Sequence, residues 1–267
     1  MRLARNVQML MQEYGRFDGL DSPGVSVIIP ARNEAALIAG AIDSVLGQGY
    51  NGMLDVLVVD DGSSDETAAK AKGYENRGVR VLQNKGSGVA AARNYGAENA
   101  TGDVLVWMDA DSRMEPGLLD EVAGRVRSGY VGGTARTTPD TGGLGESVIY
   151  GASNAIAKVS SMASNVFDVE LNPLSEGGFM FCARPAVDAI AARYGSLFPN
   201  GTSEDRAFVY SMFEIGPVAR LSGSGIVTSS RRTLNNGFIG TIKDKLERIA
   251  TPVGIPHDGY EAVRMAA

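Results

Sequence analysis

Four short apolar runs, Val25–Pro30, Leu54–Asp60, Val79–Gln83 and Val104–Asp109, constrain the fold more than any other feature of the chain. They are rich in β-branched residues and show little polar alternation, the pattern of strands buried on both faces of a parallel sheet. The segments between them read as helices. Asn33–Leu46 places Leu37, Ile38, Ala41, Ile42, Val45 and Leu46 on one face. Ser64–Lys72 opens with a Ser-Ser-Asp-Glu capping sequence, and Gly88–Ala100 is alanine-rich. Strand and helix alternating at this spacing predict right-handed βαβ units and a doubly wound, mostly parallel α/β sheet flanked by helices.

The second half is less regular. Gly145–Phe167 reads as a long helix, Gly178–Ala183 as a strand, and Pro185–Tyr194 as a helix starting at its proline. Ser203–Phe213 is helical, Val218–Leu221 and Gly225–Thr228 are short strands, and Phe238–Ala250 is a basic amphipathic helix. No linker, repeat or low-complexity stretch interrupts the chain. The expected organisation is an N-terminal amphipathic segment over 1–24, one domain over 25–232 divided near 112, and a C-terminal helix and tail over 233–267.

Composition narrows the chemistry. The chain has 267 residues, a formal charge of −6, one cysteine and one histidine. A lone Cys182 excludes an internal disulfide and a cysteine-based metal cluster, and points to a reducing, cytoplasmic setting. With His257 as the single histidine, a His-cluster metal centre is out and a Ser–His–Asp triad is disfavoured. Any metal must be held by carboxylates, which favours Mg²⁺ or Mn²⁺. The acidic balance argues against a general nucleic-acid binder. Glycine, at 34 residues, is about twice its usual ~7% share, without a collagen-like period, and so marks turns and close backbone approaches. No apolar run approaches the ~18 residues of a membrane span, and Met1–Asp18 lacks the apolar core of a signal peptide.

In open α/β sheets, ligands bind at the carboxyl ends of strands. Two of those ends carry paired acids here: Asp60-Asp61-Gly62-Ser63 and Asp109-Ala110-Asp111. Alternation along an extended strand end puts Asp109 and Asp111 on one side, where both can face one divalent cation. The competing reading has Asp111 and Ser112 capping a helix that begins near Pro116. For Asp60 and Asp61, a plain strand-to-helix turn competes with a carboxylate that accepts from a base N–H or ribose hydroxyls. The first strand ends in Pro30-Ala31-Arg32-Asn33-Glu34, with neither a dinucleotide fingerprint nor a P-loop. Lys85-Gly86-Ser87-Gly88 forms a glycine-rich entry to a helix whose N-terminus suits a phosphate, and Arg93 follows in its first turns.

Together these segments resemble the inverting glycosyltransferases of family 2, which share the GT-A fold. The resemblance rests on Val25–Glu34, Val58–Thr67, Gly88 with Ala91-Ala92-Arg93-Asn94, Ala100-Thr101-Gly102-Asp103, and Asp109-Ala110-Asp111. It thins afterwards, returning at Glu176-Gly177-Gly178, Ser203-Glu204-Asp205 and, loosely, Ser229-Ser230-Arg231-Arg232. What it implies is a single GT-A domain that moves a sugar from a nucleoside-diphosphate sugar, with UDP the expected carrier, to an acceptor hydroxyl or phosphate. Pro30, Ala31, Arg32, Glu34, Asp60, Asp61, Lys85, Gly88, Arg93, Asp109 and Ala110 would lie along the donor. Asp111, with Asp109, would hold Mn²⁺ or Mg²⁺. Gly177 and Gly178 would flank the transferred sugar and acceptor, and Arg231 and Arg232 the diphosphate or an anionic acceptor. Asp205 would be the catalytic base, with Glu204 as the fallback.

The chemistry asks for that division of labour. Inversion needs a base to take the acceptor proton on one face of the sugar, and positive charge at the leaving diphosphate on the other. Two separate acid groups can supply this without a histidine. The simple alternative for Ser203-Glu204-Asp205 is ordinary helix capping. For the whole chain the alternatives are a retaining transferase on the same fold, a non-catalytic sugar-nucleotide or glycan-binding module, and a sugar-1-phosphate nucleotidyltransferase. The acceptor is expected to be a glycan, a lipid-linked sugar or a small molecule. Leu3, Val7, Leu10 and Tyr14, and again Phe238, Ile242, Leu246 and Ile249, form apolar stripes beside basic residues. Such stripes usually pack on their own domain, and peripheral contact with the inner face of a membrane is the second expectation.

Overall fold

The computed structural model describes residues 22–84, 87–141, 178–200 and 204–231, with 150, 151, 155 and 243 as isolated positions. Apart from those isolated positions, which are helical, the expected helices at Gly145–Phe167 and Phe238–Ala250 lie outside the described residues, as does the amphipathic stretch before residue 18. So do Lys85, Gly177 and Arg232.

One eight-stranded sheet organises the rest. Its strands are β1 (Val25–Ala31), β2 (Leu54–Asp60), β3 (Val79–Gln83), β4 (Val104–Met108), β5 (Ser112–Met114), β6 (Gly132–Pro139), β7 (Phe179–Ala183) and β8 (Val218–Thr228). Their spatial order is β3-β2-β1-β4-β7-β6-β8-β5. The first four pair in parallel. Beyond β4 the sheet is mixed: β7 runs antiparallel to β4 and β6, β8 is parallel to β6, and β5 closes the far edge antiparallel to β8. The helices are α1 (Ile38–Leu46), α2 (Thr67–Lys72), α3 (Val89–Asn99), α4 (Leu118–Arg127), α5 (Arg184–Tyr194) and α6 (Glu204–Ile215).

All four apolar runs are strands, and β1 and β4 are buried along their whole length. The core runs from Ile28 and Ile29 through Leu57 and Val58 to Trp107, Phe179 and Phe181. α3 lies close against it. A Cβ on Gly96 would run into Ile28 Cγ2, with Val59 Cγ2 3.2 Å away, so only glycine lets the helix approach that far.

Three expectations shift, each for a local reason. The first helix starts at Ile38 rather than Asn33, because Asn33 sits at φ +57°, outside the helical region. Its N–H donates to Ser63 Oγ (3.0 Å) and its side-chain oxygen accepts from Ser64 N (2.9 Å), which joins the loops leaving β1 and β2. The second helix starts at Thr67 rather than Ser64. Glu66 is its N-cap without a side-chain bond, and Asp65 just before it accepts from Thr67 N (2.9 Å) and from Ala35 N (3.2 Å). The two short strands at 218–228 are one strand, β8. Its register slips between Ala135 and Arg136, so that Leu221 and Gly225 pair with adjacent residues of β6 and Ser222–Ser224 bulge out. β6, with the sequence Gly-Gly-Thr-Ala-Arg-Thr-Thr-Pro, and the three-residue β5 carry no apolar run and are strands by virtue of their neighbours.

At the amino ends of the first strands, Asp55 ties the parallel half together. It accepts from Ser26 Oγ (2.9 Å), Arg80 Nη1 (3.0 and 3.1 Å), and Thr101 N and Oγ1 (3.1 and 2.9 Å). Burial pushes its carboxyl up, but the bonds from Arg80, Ser26 and Thr101 outweigh it and hold the group below 3.8. A depressed folded-state pKa stabilises above the unfolded value of about 3.9, and that share is lost as pH falls through the folded value. Asp55→Asn should therefore lower stability at pH 7 and lose less than the native chain between pH 5 and pH 3, as measured by urea unfolding at each pH.

Candidate active site

Strand order reverses between β1 and β4, the switch point at which open α/β sheets form a crevice. β1 and β2 end together, with Ala31 opposite Asp60, and β4 ends beside them at Met108. The loops that follow carry most of the acids singled out above.

Pro30 and Ala31 are buried in β1, Arg32 is exposed, and Glu34 lies in the turn after it. Asp61 donates its N–H to Ala31 O (2.8 Å), while its buried carboxylate accepts from Asn84 Nδ2 (2.6 Å) and Gly88 N (3.1 Å). Asp61 thereby fixes the N-terminus of α3, where Gly88 adopts φ +97°. Arg32 Nη1 is 3.8 Å from the same carboxylate. Asp60 is buried as well. One of its oxygens accepts weakly from Ser63 N (3.4 Å), and Oδ1 has no hydrogen-bond partner among the described residues. A buried carboxylate oxygen left in that state is an acceptor awaiting a donor.

Asp109 follows β4 directly. Its N–H donates to Gly178 O (3.1 Å), which extends the β4–β7 pairing and brings Gly178 alongside. A Cβ on Gly178 would reach to 4.0 Å from Asp109 Oδ2 and 2.9 Å from Ile226 Cδ1. Ala110 is buried and the chain turns there, Ser112 N donating to Asp109 O (3.0 Å), so a turn, and not the alternation expected of an extended strand end, brings Asp109 close enough to act on Asp111. Asp111 and Ser112 do not cap a helix: Ser112 opens β5, and α4 starts later, behind Gly117. Ser229 N donates to Asp111 O (3.0 Å), so the β5–β8 pairing carries Arg231 to the site. Arg231 donates twice to Glu34, 197 residues away (2.6 and 3.1 Å), and its Nη2 lies 3.9 Å from Asp111.

This edge is crowded with negative charge. Burial first, then Asp109 and Glu34, push the Asp111 carboxyl up to about 6, against the opposing pull of Arg231 and the Ser112 hydroxyl. Such a group favours a cation beside it. Among the described residues no set of three His, Cys, Asp or Glu side chains forms a metal cage. The two carboxylates therefore fit a hard divalent ion whose remaining ligands are phosphates and water.

Across the crevice, Glu204 and Asp205 open α6, and Asp205 is buried. Arg93 lies between the two acid groups. Its Nη1 donates to Glu204 Oε1 (2.8 Å) and its Nη2 to Asp109 Oδ1 (2.9 Å). Its guanidinium lies 5.5 Å from the centre of the Phe198 ring, and its carbonyl accepts from Trp107 Nε1 (3.2 Å). Trp107, Phe198 and Phe208 pack edge to face beneath it.

Two further residues support the site without having been given a place in it from the sequence. Ser112 bonds Thr228 Oγ1 (3.1 Å) beside Asp111. Asn94 clamps the segment that leads toward α6, donating to Ser196 Oγ (3.1 Å) and Phe198 O (2.8 Å) and accepting from Phe198 N (3.0 Å). Asn94 stands next to Arg93 in the quoted motif, but its partners lie about a hundred residues on, and local pattern could not reveal them.

Comparison with known proteins decides the family. Residues 26–156 match the model of glycosyl transferase family 2. Over those residues the chain is a family 2 glycosyl transferase. An uncharacterized glycosyltransferase of Rickettsia typhi is 35% identical over 99 residues, 37% of this chain and 30% of the relative. The chain thus spans about a third of that relative's length. The mannosyltransferase PcManGT of Pyrobaculum calidifontis, solved with GDP-Man and Mn²⁺, superposes with a TM-score of 0.61 at 18% identity, over 96% of this chain and 74% of that one. Glucosyl-3-phosphoglycerate synthase of Mycobacterium tuberculosis, solved with Mg²⁺ and UDP, gives 0.57 at 19% identity, over 91% and 84%. These likenesses establish the GT-A fold. No helix among the described residues is long and apolar enough to cross a membrane.

The Asn94 clamp gives a direct test of how the segment before α6 is held. Asn94→Ala strands the Phe198 N–H and should cost about 2 kcal/mol of stability, measured by denaturant unfolding. Amide exchange should speed up over residues 196–200.

Proposed function

We propose that the chain is an inverting, divalent-cation-dependent glycosyltransferase that takes a sugar from a nucleoside-diphosphate donor and passes it to an acceptor hydroxyl or phosphate. The observation that carries this reading is the pairing of acid groups across one crevice, Asp109 and Asp111 at the tip of β4 and Glu204 and Asp205 at the start of α6. UDP is the preferred donor carrier, supported by the UDP in the mycobacterial synthase structure. The GDP-Man in the Pyrobaculum structure makes a guanosine donor the alternative to test.

Each residue then has a task. Pro30, Ala31, Arg32 and Glu34 border the nucleoside, with Asp60 and Asp61 at the tip of β2. Asp60 Oδ1 is the acceptor available to a base N–H or a ribose hydroxyl. Gly88, at the start of α3, and Lys85 before it serve the phosphates. Asp111 and Asp109 would hold Mn²⁺ or Mg²⁺, which supplies positive charge to the departing diphosphate. Gly178 keeps the wall beside Asp109 free of a side chain, where the transferred sugar sits. Arg231, released from Glu34, can turn to the diphosphate.

In the transfer, Asp205 accepts the proton of the acceptor hydroxyl as that oxygen attacks the anomeric carbon. The bond from that carbon to the diphosphate oxygen breaks on the opposite face, and the diphosphate leaves with the electron pair. Asp205 is preferred over Glu204 because it matches the second acid of the Glu-Asp pair in the family pattern that the sequence resembles.

The deciding experiment separates binding from chemistry. With Mn²⁺ and a panel of UDP- and GDP-sugars, one donor should raise the melting temperature, and product NMR should show inverted anomeric configuration. Asp205→Asn should lose at least about 100-fold in transfer while keeping that thermal shift. Asp111→Ala should abolish the Mn²⁺-dependent part of the shift. Full transfer by Asp205→Asn would sink the assignment, and retention of configuration would remove the inverting one.

A further inference from the structure

We infer that Arg93 is a positioning residue, a clamp that sets the spacing between the Asp109 tip of β4 and the Glu204–Asp205 start of α6, and not a contact to the donor. The inference rests on the function proposed above and refines the assignment of that same site.

Arg93 is 3% exposed, and both terminal nitrogens are committed, one to each acid group. To reach a diphosphate it would have to break two charge-assisted bonds and leave both carboxylates without their cation. The backbone around it is fixed too, since its carbonyl takes the Trp107 indole N–H. Its two partners are 16 and 111 residues away in the chain and belong to different elements of the fold. A buried ion triad is a poor way to gain stability, because apolar groups of similar volume commonly do as well or better. Geometry is what it offers instead. The planar fork holds its two terminal nitrogens at a fixed separation, so the two carboxylates they grip are held at a fixed separation as well. The positive charge between them also offsets the repulsion that would otherwise drive the two acid groups apart.

The order of the chain explains why such a clamp is needed. Asp109 is placed by β4, the last strand of the parallel half, whereas α6 follows the antiparallel strand β7 and helix α5. Among the described residues no backbone hydrogen bond links α6 to the tip of β4. Asn94 anchors the approach to α6 and Arg93 anchors its first turn, so neighbouring residues of one helix hold both.

The test is a double-mutant cycle on the full chain, Arg93→Lys and Glu204→Gln singly and together. Turnover is measured with Mn²⁺ and the UDP-sugar that gives the largest thermal shift, and UDP affinity by calorimetry. Lysine keeps the charge but not the fork. Arg93→Lys should lower kcat by roughly 30-fold or more, as a misplaced site does, with UDP affinity within about threefold of the native chain. The double variant should be within about threefold of the slower single one, since both changes remove the same link. A UDP affinity that falls in step with turnover would make Arg93 a donor contact and overturn the inference. So would rate losses that multiply, or an Arg93→Lys rate within about threefold of native. If Arg93→Lys does not fold, Arg93→Gln takes its place in the cycle: reduced kcat with unchanged UDP affinity and rate losses that do not multiply with Glu204→Gln support the clamp, and native kcat or multiplying losses refute it. If the native chain turns over no nucleotide sugar, the proposed function fails, and the cycle is read on unfolding instead. Non-additive stabilities then support the clamp, and additive ones reject it.

Discussion

The site depends on the two different partners of β4. On one side it pairs in parallel with β1, which sets its tip level with the ends of β1 and β2 at the switch point. On the other it pairs antiparallel with β7, so the chain entering β7 passes the very point where β4 ends. A parallel neighbour would have put the start of its strand at the opposite edge of the sheet. The antiparallel one puts Gly178 beside Asp109, with a backbone bond between them. The second half of the chain can therefore wall and complete a crevice whose floor comes from the first half.

Electrostatics gives that crevice its character. Glu34, Asp109, Asp111, Glu204 and Asp205 converge on one edge, with Arg93 and Arg231 as the cations bound among them. The two arginines differ in setting. Arg93 is sealed under the site against Phe198, whereas Arg231 is half exposed and bridges the loop after β1 to the end of β8. A buried fork fixes geometry, and an exposed one can exchange partners at little cost. The far edge of the sheet carries the contrasting arrangement, in which Asp55 is saturated by hydrogen bonds and serves the frame alone.

Legibility followed the range of the interactions. The parallel strands were readable because burial on both faces forces continuous apolar runs, and the paired acids were readable because they stand directly after those runs. β5 and β6 were not, since a strand built of Gly, Thr and Arg is stabilised by its neighbours and not by its own composition. The register slip in β8 came from the bulge at Ser222–Ser224, which splits one strand into two apparent ones. At the first helix, Asn33 was counted as helical, whereas its side chain serves the loop after β2.

What the sequence determined by itself is the local chemistry: which runs are strands, which strand ends bear carboxylates, and that no histidine or thiol cluster can replace them. Those are consequences of side-chain pattern within a few residues. The tertiary structure alone decided the partnerships. Arg93 could be read as a basic residue on the first turns of a helix, but its role as the link between Asp109 and Glu204 depends on a contact spanning 111 residues. Arg231 could be read as one of a charged pair, but its engagement with Glu34 requires β8 to return beside β5. Pattern fixes what a residue can donate or accept. Only the closed sheet fixes to whom.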